Sequence, residues 1–329
     1  MACRARREAA LHAFWTAMKE FETILPLFRA IGGADRAADF TDDVAWLRGG
    51  GQRIVTVDAL VEGVHFLRSD PVASVARKLV RVNVSDILAK GAIPREALLT
   101  LGWPDRLGDA DLRDFAAAFG AELTGWDMAL VGGDTVRSPD RLFLSLTVMG
   151  VPVGAGPVRR SGGRPGHGLW VTGTIGAGHL GLAAALAGDT ASPFIARYRE
   201  PHLPPEGAAH LIADHASASM DVSDGLLGDA LKLAEASGCG LSLDLRHVPY
   251  AGPAASRADR LAQATGGDDY QSLFALDPSQ EAAATAFAEA GGIRITRVGS
   301  LGKSGQVSLT DGGEPLPLPP RLSFEHGSE

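Results

Sequence analysis

Seven aspartates fall in five short motifs: Asp42-Asp43, Val57-Asp58, Ser85-Asp86, Gly132-Gly133-Asp134 and Asp221-Val222-Ser223-Asp224-Gly225. Each motif stands at the end of an apolar run or on a turn. Carboxylates gathered in a partly desolvated cleft cannot all stay ionised unless cations neutralise them, and hard divalent ions bridging to phosphate do so most often. The set points to a magnesium-dependent enzyme of phosphate chemistry. Single members have plainer explanations. Ser85 or Asp86 could cap a short helix beginning at Ile87, Ser223 and Asp224 could cap a helix carrying Leu226, Ala230, Leu233 and Ala234, and Asp42-Asp43 could be an exposed turn. Capping does not account for Asp221, which in an extended segment points to the same side as Ser223, nor for Asp134 after two glycines.

The elements that must position these acids alternate between strand and helix. Arg53 to Asp58 and Ala97 to Gly102 read as strands, with Val72 to Lys90 between them as a helix. On its wheel Val75, Leu79, Val82 and Asp86 lie within about 60° of one another, so an acid occupies the core-facing stripe. Asp109 to Thr124 reads as a helix, Met128 to Val131 as a strand ending in a Gly-Gly turn, and Leu142 to Val151 as a long strand. Pro152, Gly154, Gly156 and Pro157 then form a breaker cluster, where the domain boundary is expected. Beyond it, strands are expected at Gly168 to Gly173, Leu241 to Leu245 and Tyr270 to Leu276, and helices at Leu180 to Ala187, Leu226 to Ala236 and Gln280 to Ala290.

The chain has 329 residues, a length that favours two domains, and its hydrophobic (45%) and charged (21%) fractions are those of an ordinary globular enzyme. A net charge of −8 and the lack of a Lys/Arg stripe argue against a nucleic-acid partner. Cys3 and Cys239 cannot build a disulfide framework, so a reducing, cytoplasmic setting is the simpler reading. No apolar stretch approaches the ~20 residues that span a bilayer. Glu8 to Phe28 reads as a surface helix or extension, because Glu8, His12, Lys19 and Glu20 interrupt any signal-peptide core.

Gly176-Ala177-Gly178-His179-Leu180-Gly181 fits the G-x-G-x-x-G dinucleotide fingerprint, but the strand and acid expected some 20 residues later are missing. A Walker loop is absent altogether, so ATP chemistry here cannot be of the P-loop type.

The order and wording of these segments, with Val57-Asp58-Ala59-Leu60-Val61-Glu62-Gly63-Val64-His65-Phe66, Arg160-Ser161-Gly162, Val171-Thr172-Gly173-Thr174 and Gly266-Gly267-Asp268-Asp269-Tyr270, resemble the thiamine-monophosphate kinases of the PurM-like ATP-binding superfamily. The match covers about residues 19 to 326. The resemblance implies an α/β (α+β) two-domain PurM-like fold. Residues 1–18 would be an N-terminal extension, 19–153 a metal- and ATP-binding domain whose sheet dimerises, and 154–329 a mixed α/β domain. It implies that Asp43, Thr56, Val57 (through its carbonyl), Asp58, Asp86, Asp134, Asp221 and Asp224 bind Mg²⁺. Gly133, Asp134, Arg160 and Ser223 would contact ATP, and His65, Asp268 and Phe324 would hold thiamine monophosphate. The acids Asp58 and Asp134, with Arg160, are the expected catalytic set.

The chain departs from the family pattern at Thr41, where Gly is usual, at Val57, where Thr is usual, and at Gln271, where Glu is common. None of these changes removes a carboxylate that carries the metal argument. The implied reaction is Mg²⁺-assisted, in-line phosphoryl transfer from ATP to thiamine monophosphate in thiamine diphosphate biosynthesis, by a homodimer with no nucleic-acid or membrane partner. Two other readings share the motifs: a related ligase of the aminoimidazole-ribotide-synthetase kind, and a non-catalytic nucleotide or thiamine sensor. A hydrogenase-maturation relative would end in a cysteine, and here the last is Cys239.

Overall fold

The computed structural model describes residues 42–47 and 52–324, so the expected N-terminal helix, residues 1–18 and Thr41 lie outside the described residues. The first sheet is built from β1 (Ala45–Leu47), β2 (Arg53–Val61), β3 (Ala92–Pro104), β4 (Ala129–Ser138) and β5 (Phe143–Pro152). Helix α1 (Val72–Ala89) joins β2 to β3, and α2 (Asp109–Gly125) joins β3 to β4. The strand order is β1-β2-β5-β3-β4, antiparallel except for the β3–β4 pair. The expected β-α-β unit is therefore split, with β5 lying between β2 and β3.

Alternation along the strands separates two faces. Ile54, Leu60, Leu144, Leu146 and Val148 are buried towards α1, whereas Val57 is 60% exposed on the opposite face. Leu98, Leu130, Val131 and Val136 are also exposed. One sheet face thus carries the core, and the other presents Val57, Leu98 and Val136 to solvent.

The predicted turn at Gly132-Gly133 is not a turn. Strand β4 runs through both glycines, because the missing side chains let it lie close against β3. A Cβ at Gly133 would come within 2.1 Å of the Leu99 carbonyl oxygen, and one at Gly132 within 3.1 Å of the Leu98 side chain.

The second sheet comprises β6 (Gly168–Thr172), β7 (Ala216–Val222), β8 (Gly240–Asp244), β9 (Gln271–Leu276), β10 (Ile295–Gly302), β11 (Val307–Asp311) and β12 (Glu314–Leu316). Its order is β12-β11-β8-β10-β6-β9-β7. Helices α3 (Ala177–Ala187), α4 (Phe194–Arg199), α5 (Gly207–His215), α6 (Leu226–Ala236), α7 (Arg257–Thr265) and α8 (Glu281–Ala290) connect and cover it. The short elements α4, α5, α7, β7 and β10 to β12 escaped the sequence reading, since their apolar runs are too brief to show a period.

Helix α1 packs on β2 and β5 of the first sheet and on β7 and β9 of the second. Being covered on both sides, it buries apolar residues towards both, and its buried polar residues, Ser74, Lys78, Asn83 and Ser85, need partners. It runs unbroken past Ser85 and Asp86, so neither residue caps a new helix.

Gly133→Ala is expected to destabilise the fold by about 2 kcal/mol in a denaturant titration, through loss of β3–β4 pairing. An unchanged midpoint would show that β4 does not need this close approach.

Candidate metal and phosphate site

Asp86 faces the first sheet and Ser85 the second, because successive helical residues are turned by about 100°. The Thr56 hydroxyl of β2 donates to Asp86 Oδ2 at 2.6 Å, and the Ser85 hydroxyl donates to Asp221 Oδ2 at 2.8 Å. Asp221 is the penultimate residue of β7. Fully buried Asn83 accepts from the Asp58 backbone N–H at 2.9 Å and donates to the Leu79 carbonyl, which fixes β2 against α1 where Asp58 sits. Carboxylate oxygens of Asp43, Asp86 and Asp221 come within 4.8 Å of one another. Three hard oxygen donors at that spacing fit a divalent cation of the Mg²⁺ kind.

The electrostatics show what this convergence costs. Burial first, and then Asp43 and Asp224, push the Asp58 carboxyl up to about 6. Burial and the neighbouring acids, Asp221 foremost, hold Asp86 well above the ordinary carboxylate range. Asp221 is raised likewise, by burial and then by Asp43. Burial would raise Asp43 too, but the charges of Arg160 and Lys90 outweigh it and bring that group down to about 2. Arg160 Nε donates to Asp43 Oδ1 at 3.0 Å, its Nη2 joins the same oxygen, and Lys90 lies against Oδ2.

Of the sequence-predicted metal residues, Asp43, Thr56, Asp58, Asp86, Asp221 and Asp224 are thus gathered at one end of α1. Val57 is in line with them on β2, although its side chain points to the open face. Ser223 and Asp224 follow the end of β7 but do not cap α6. That helix begins after Gly225, at φ 132°, and the Asp229 carboxylate accepts from the Asp224 and Gly225 amides, both at 3.1 Å. Lys232, one turn further along, pairs with Asp224 at 2.6 Å and with Asp229 at 3.0 Å.

Asp134 and Gly133 stand apart. Asp58 pairs with Leu146, Leu146 with Leu99 and Leu99 with Gly133, so three strand spacings, about 14 Å along the sheet, lie between Asp58 and Gly133. Asp134 shares its row with Thr100, Ser145 and Ala59 on the open face, and it is exposed.

Of the expected substrate residues, Asp268 and Phe324 lie beside the acids, and His65 is linked to Asp268 through Lys78. His65 Nδ1 accepts from the Val61 N–H at 3.0 Å. Asp268 N–H donates to the Ser223 carbonyl at 2.9 Å, and Phe324 N–H to the Asp224 carbonyl at 2.9 Å, so both are tied to the Asp221–Asp224 segment. Asp268 and Tyr270 adopt left-handed backbone, at φ 69° and 52°, which costs energy at non-glycine residues and collects at functional sites. Lys78, buried in α1, donates to Asp268 Oδ2 at 2.9 Å and to the His65 carbonyl at 3.0 Å, while the Tyr270 hydroxyl donates to Asp268 Oδ1 at 3.0 Å. The neighbouring Asp269 accepts from the Gly176 and Gly178 amides at 2.7 and 3.3 Å. The apparent dinucleotide loop therefore spends its helix N-terminus on an internal carboxylate.

Lys78, Asn83, Lys90, Asp229 and Lys232 were absent from the sequence reading. For Lys90 a signal existed, a cation one turn beyond Asp86 at the end of a largely apolar helix.

Two outcomes follow from the crowding. A carboxyl whose pKa is raised by folding stabilises the fold below its unfolded value near 4, and this contribution is lost as pH rises through about 6 for Asp58. Mg²⁺ is therefore expected to raise Tm more at pH 7.5 than at pH 5, and an equal rise at both would contradict the ionisation scheme. Asp86→Asn is expected to stabilise the protein in EDTA by about 1 kcal/mol, by removing one repelling charge, and to abolish most of the Mg²⁺-induced rise. A variant that loses stability in EDTA would contradict this.

Residues 41–152 match the family AIR synthase related protein, N-terminal domain, and residues 164–312 match AIR synthase related protein, C-terminal domain. The thiamine-monophosphate kinase of Caulobacter vibrioides is 37% identical over 321 residues, covering 94% of this chain and 91% of that protein. That of Escherichia coli K12 is 35% identical over 279 residues, with 80% and 83% covered. Among solved structures, AaThiL complexed with AMPPCP and TMP is similar with a TM-score of 0.81 at 27% identity, over 94% of this chain and 97% of that one. Two adjoining domain families, relatives above 30% identity over most of both lengths and a shared fold agree: the chain belongs to the thiamine-monophosphate kinase family.

Proposed function

We propose that this chain transfers the γ-phosphoryl group of ATP to the phosphate of thiamine monophosphate, giving thiamine diphosphate and ADP. The observation that carries this reading is the convergence of Asp43, Asp86 and Asp221, with Asp58 and Asp224 close enough to perturb one another. An acceptor phosphate has its second pKa near ~6 and is already mostly a dianion at neutral pH, so no general base is needed. The barrier is repulsion between polyanions. Bound Mg²⁺ ions supply charge neutralisation and alignment of the two phosphates. Asp43, Asp58, Asp86, Asp221 and Asp224 are the side chains that would hold them, with Thr56 setting the Asp86 rotamer and the Val57 carbonyl adding an oxygen. Arg160, fixed on Asp43, adds a permanent positive charge for phosphate oxygens, and Ser223 contributes a hydroxyl at the turn.

His65, Asp268 and Phe324 form the proposed acceptor pocket. A carboxylate has about four lone-pair positions, so Asp268 can face the thiazolium cation while Lys78 and Tyr270 hold its orientation. An aromatic ring at Phe324, half exposed beside Asp224, suits a flat heterocycle. Cys239, a buried free thiol, fits a reducing compartment such as the cytoplasm.

The reading extends to a homodimer. Val57, Leu98, Leu130, Val131 and Val136 leave an apolar area uncovered on the first sheet, and β4 is an exposed edge strand, both of which call for a partner. Asp134 lies on that same open face, three strands from Asp58. A second copy packed there would carry its own Asp134 and Gly133 towards the neighbouring acid cluster, which makes ATP binding a joint task of two subunits.

Purified protein with ATP and MgCl₂ is expected to convert thiamine monophosphate, and not thiamine, to a diphosphate resolved by chromatography. Product from neither acceptor would contradict the proposal. Asp58→Asn and Asp134→Asn are each expected to lower turnover at least about 100-fold. When the two inactive variants are unfolded together and refolded, shared sites would restore about a quarter of wild-type activity, from the one intact site in each mixed dimer. No recovery would place Asp134 in the site of its own chain.

A further inference from the structure

Lys90 closes α1, and its side chain is fully buried. Its ammonium donates to the Ser219 carbonyl of β7 at 2.5 Å and is ion-paired with Asp42 Oδ1 at 2.7 Å and with Asp43 Oδ2. Burying such a charge is costly, and an apolar side chain of similar length would fill the space without that cost. Only the acids around it account for the charge.

Asp42 is consumed by the same arrangement. Its Oδ1 also accepts from the Asp43 N–H at 2.9 Å, and its Oδ2 accepts from the Arg160 N–H at 3.2 Å. Asp42 thus serves as a clamp between Lys90 and the Arg160 backbone. Asp43, by contrast, presents its carboxylate to Asp86 and Asp221 on one side and to Lys90 and Arg160 on the other. Ser219 stands two residues before Asp221 on β7, so one ammonium ties together the segment carrying Asp43, the helix carrying Asp86 and the strand carrying Asp221.

We propose that Lys90 is a tethered cation of the acid cluster: its ammonium supplies, from inside the protein, positive charge that the carboxylates would otherwise draw from a divalent ion. This rests on the reading of the cluster as a Mg²⁺ site and goes beyond it in assigning part of the neutralisation to a side chain. Lys90 is a positioning residue, acting through Asp43, and its effect is greatest when metal is scarce.

The test compares wild type, Lys90→Met and Lys90→Gln by thermal unfolding in EDTA and in saturating MgCl₂. The glutamine removes the charge and retains an N–H donor on a side chain one bond shorter. Both variants are expected to melt at least about 3 °C below wild type in EDTA and to recover most of that deficit in Mg²⁺, so that their Mg²⁺-induced gain exceeds the wild-type gain. An equal deficit in both buffers, a smaller Mg²⁺ gain than wild type, or failure of both variants to fold even with Mg²⁺ would overturn the proposal and leave Lys90 as a structural strap. A wild-type Tm that does not respond to Mg²⁺ would overturn the metal reading itself, a result distinct from the others.

Discussion

Mutual repulsion among carboxylates that burial keeps from bulk water is the constraint on which this molecule is organised. Asp221 is buried and Asp58 and Asp86 are only partly exposed, each held on a strand or helix whose neighbouring residues form the core. Burial and proximity raise their proton affinities together, so the free site resists full ionisation. The fold answers with three kinds of support: fixed cations at Lys90 and Arg160, hydroxyl donors at Thr56 and Ser85, and the Asn83 amide that pins the Asp58 backbone. What remains is a surplus of negative charge with preset geometry, which suits hard cations carrying phosphate.

Helix α1 is the element through which this constraint reaches the rest of the protein. Its apolar positions fasten it between two sheets, while its buried polar positions make the cross-links. Lys78 reaches Asp268 of the second half, Ser85 reaches Asp221, and Lys90 reaches the carbonyl of Ser219. Near the surface, Arg77 pairs with Glu200 at 2.8 Å and Arg81 with Glu122 at 2.7 Å, extending the same tie over the outside of the helix. The proposed acceptor residues and the acids are thereby held on one support, which suits the positioning of two phosphates to within about 0.5 Å.

Much of this was legible in the sequence for identifiable reasons. Val75, Leu79 and Val82 set a period that carries Asp86 inward, and an extended segment turns Asp221 and Ser223 to one side, whereas the full set of proposed metal residues came from the family resemblance. The reading of Gly132-Gly133 as a turn failed because glycine signals either a reversal or a close approach of backbones, and only the neighbouring Leu99 carbonyl decides between them. Ser223 and Asp224 have the residue types of caps, yet Gly225 takes the cap position and Asp229, from inside the helix, accepts from the Asp224 and Gly225 amides ahead of it. The position of Asp134 depends on strand order, with β5 inserted between β2 and β3, and local sequence does not encode that order. Lys78 and Lys90 were passed over because their partners lie far away in the chain.

The central claim is that the aspartates hold cations and that none of them accepts the phosphoryl group. The stereochemical course of transfer tests this most directly, with ATP made chiral at the γ-phosphorus by oxygen isotopes and thiamine monophosphate as acceptor. Direct in-line transfer predicts inversion at phosphorus in the thiamine diphosphate formed. Net retention would reveal two successive transfers through a phosphorylated aspartate and would contradict the account.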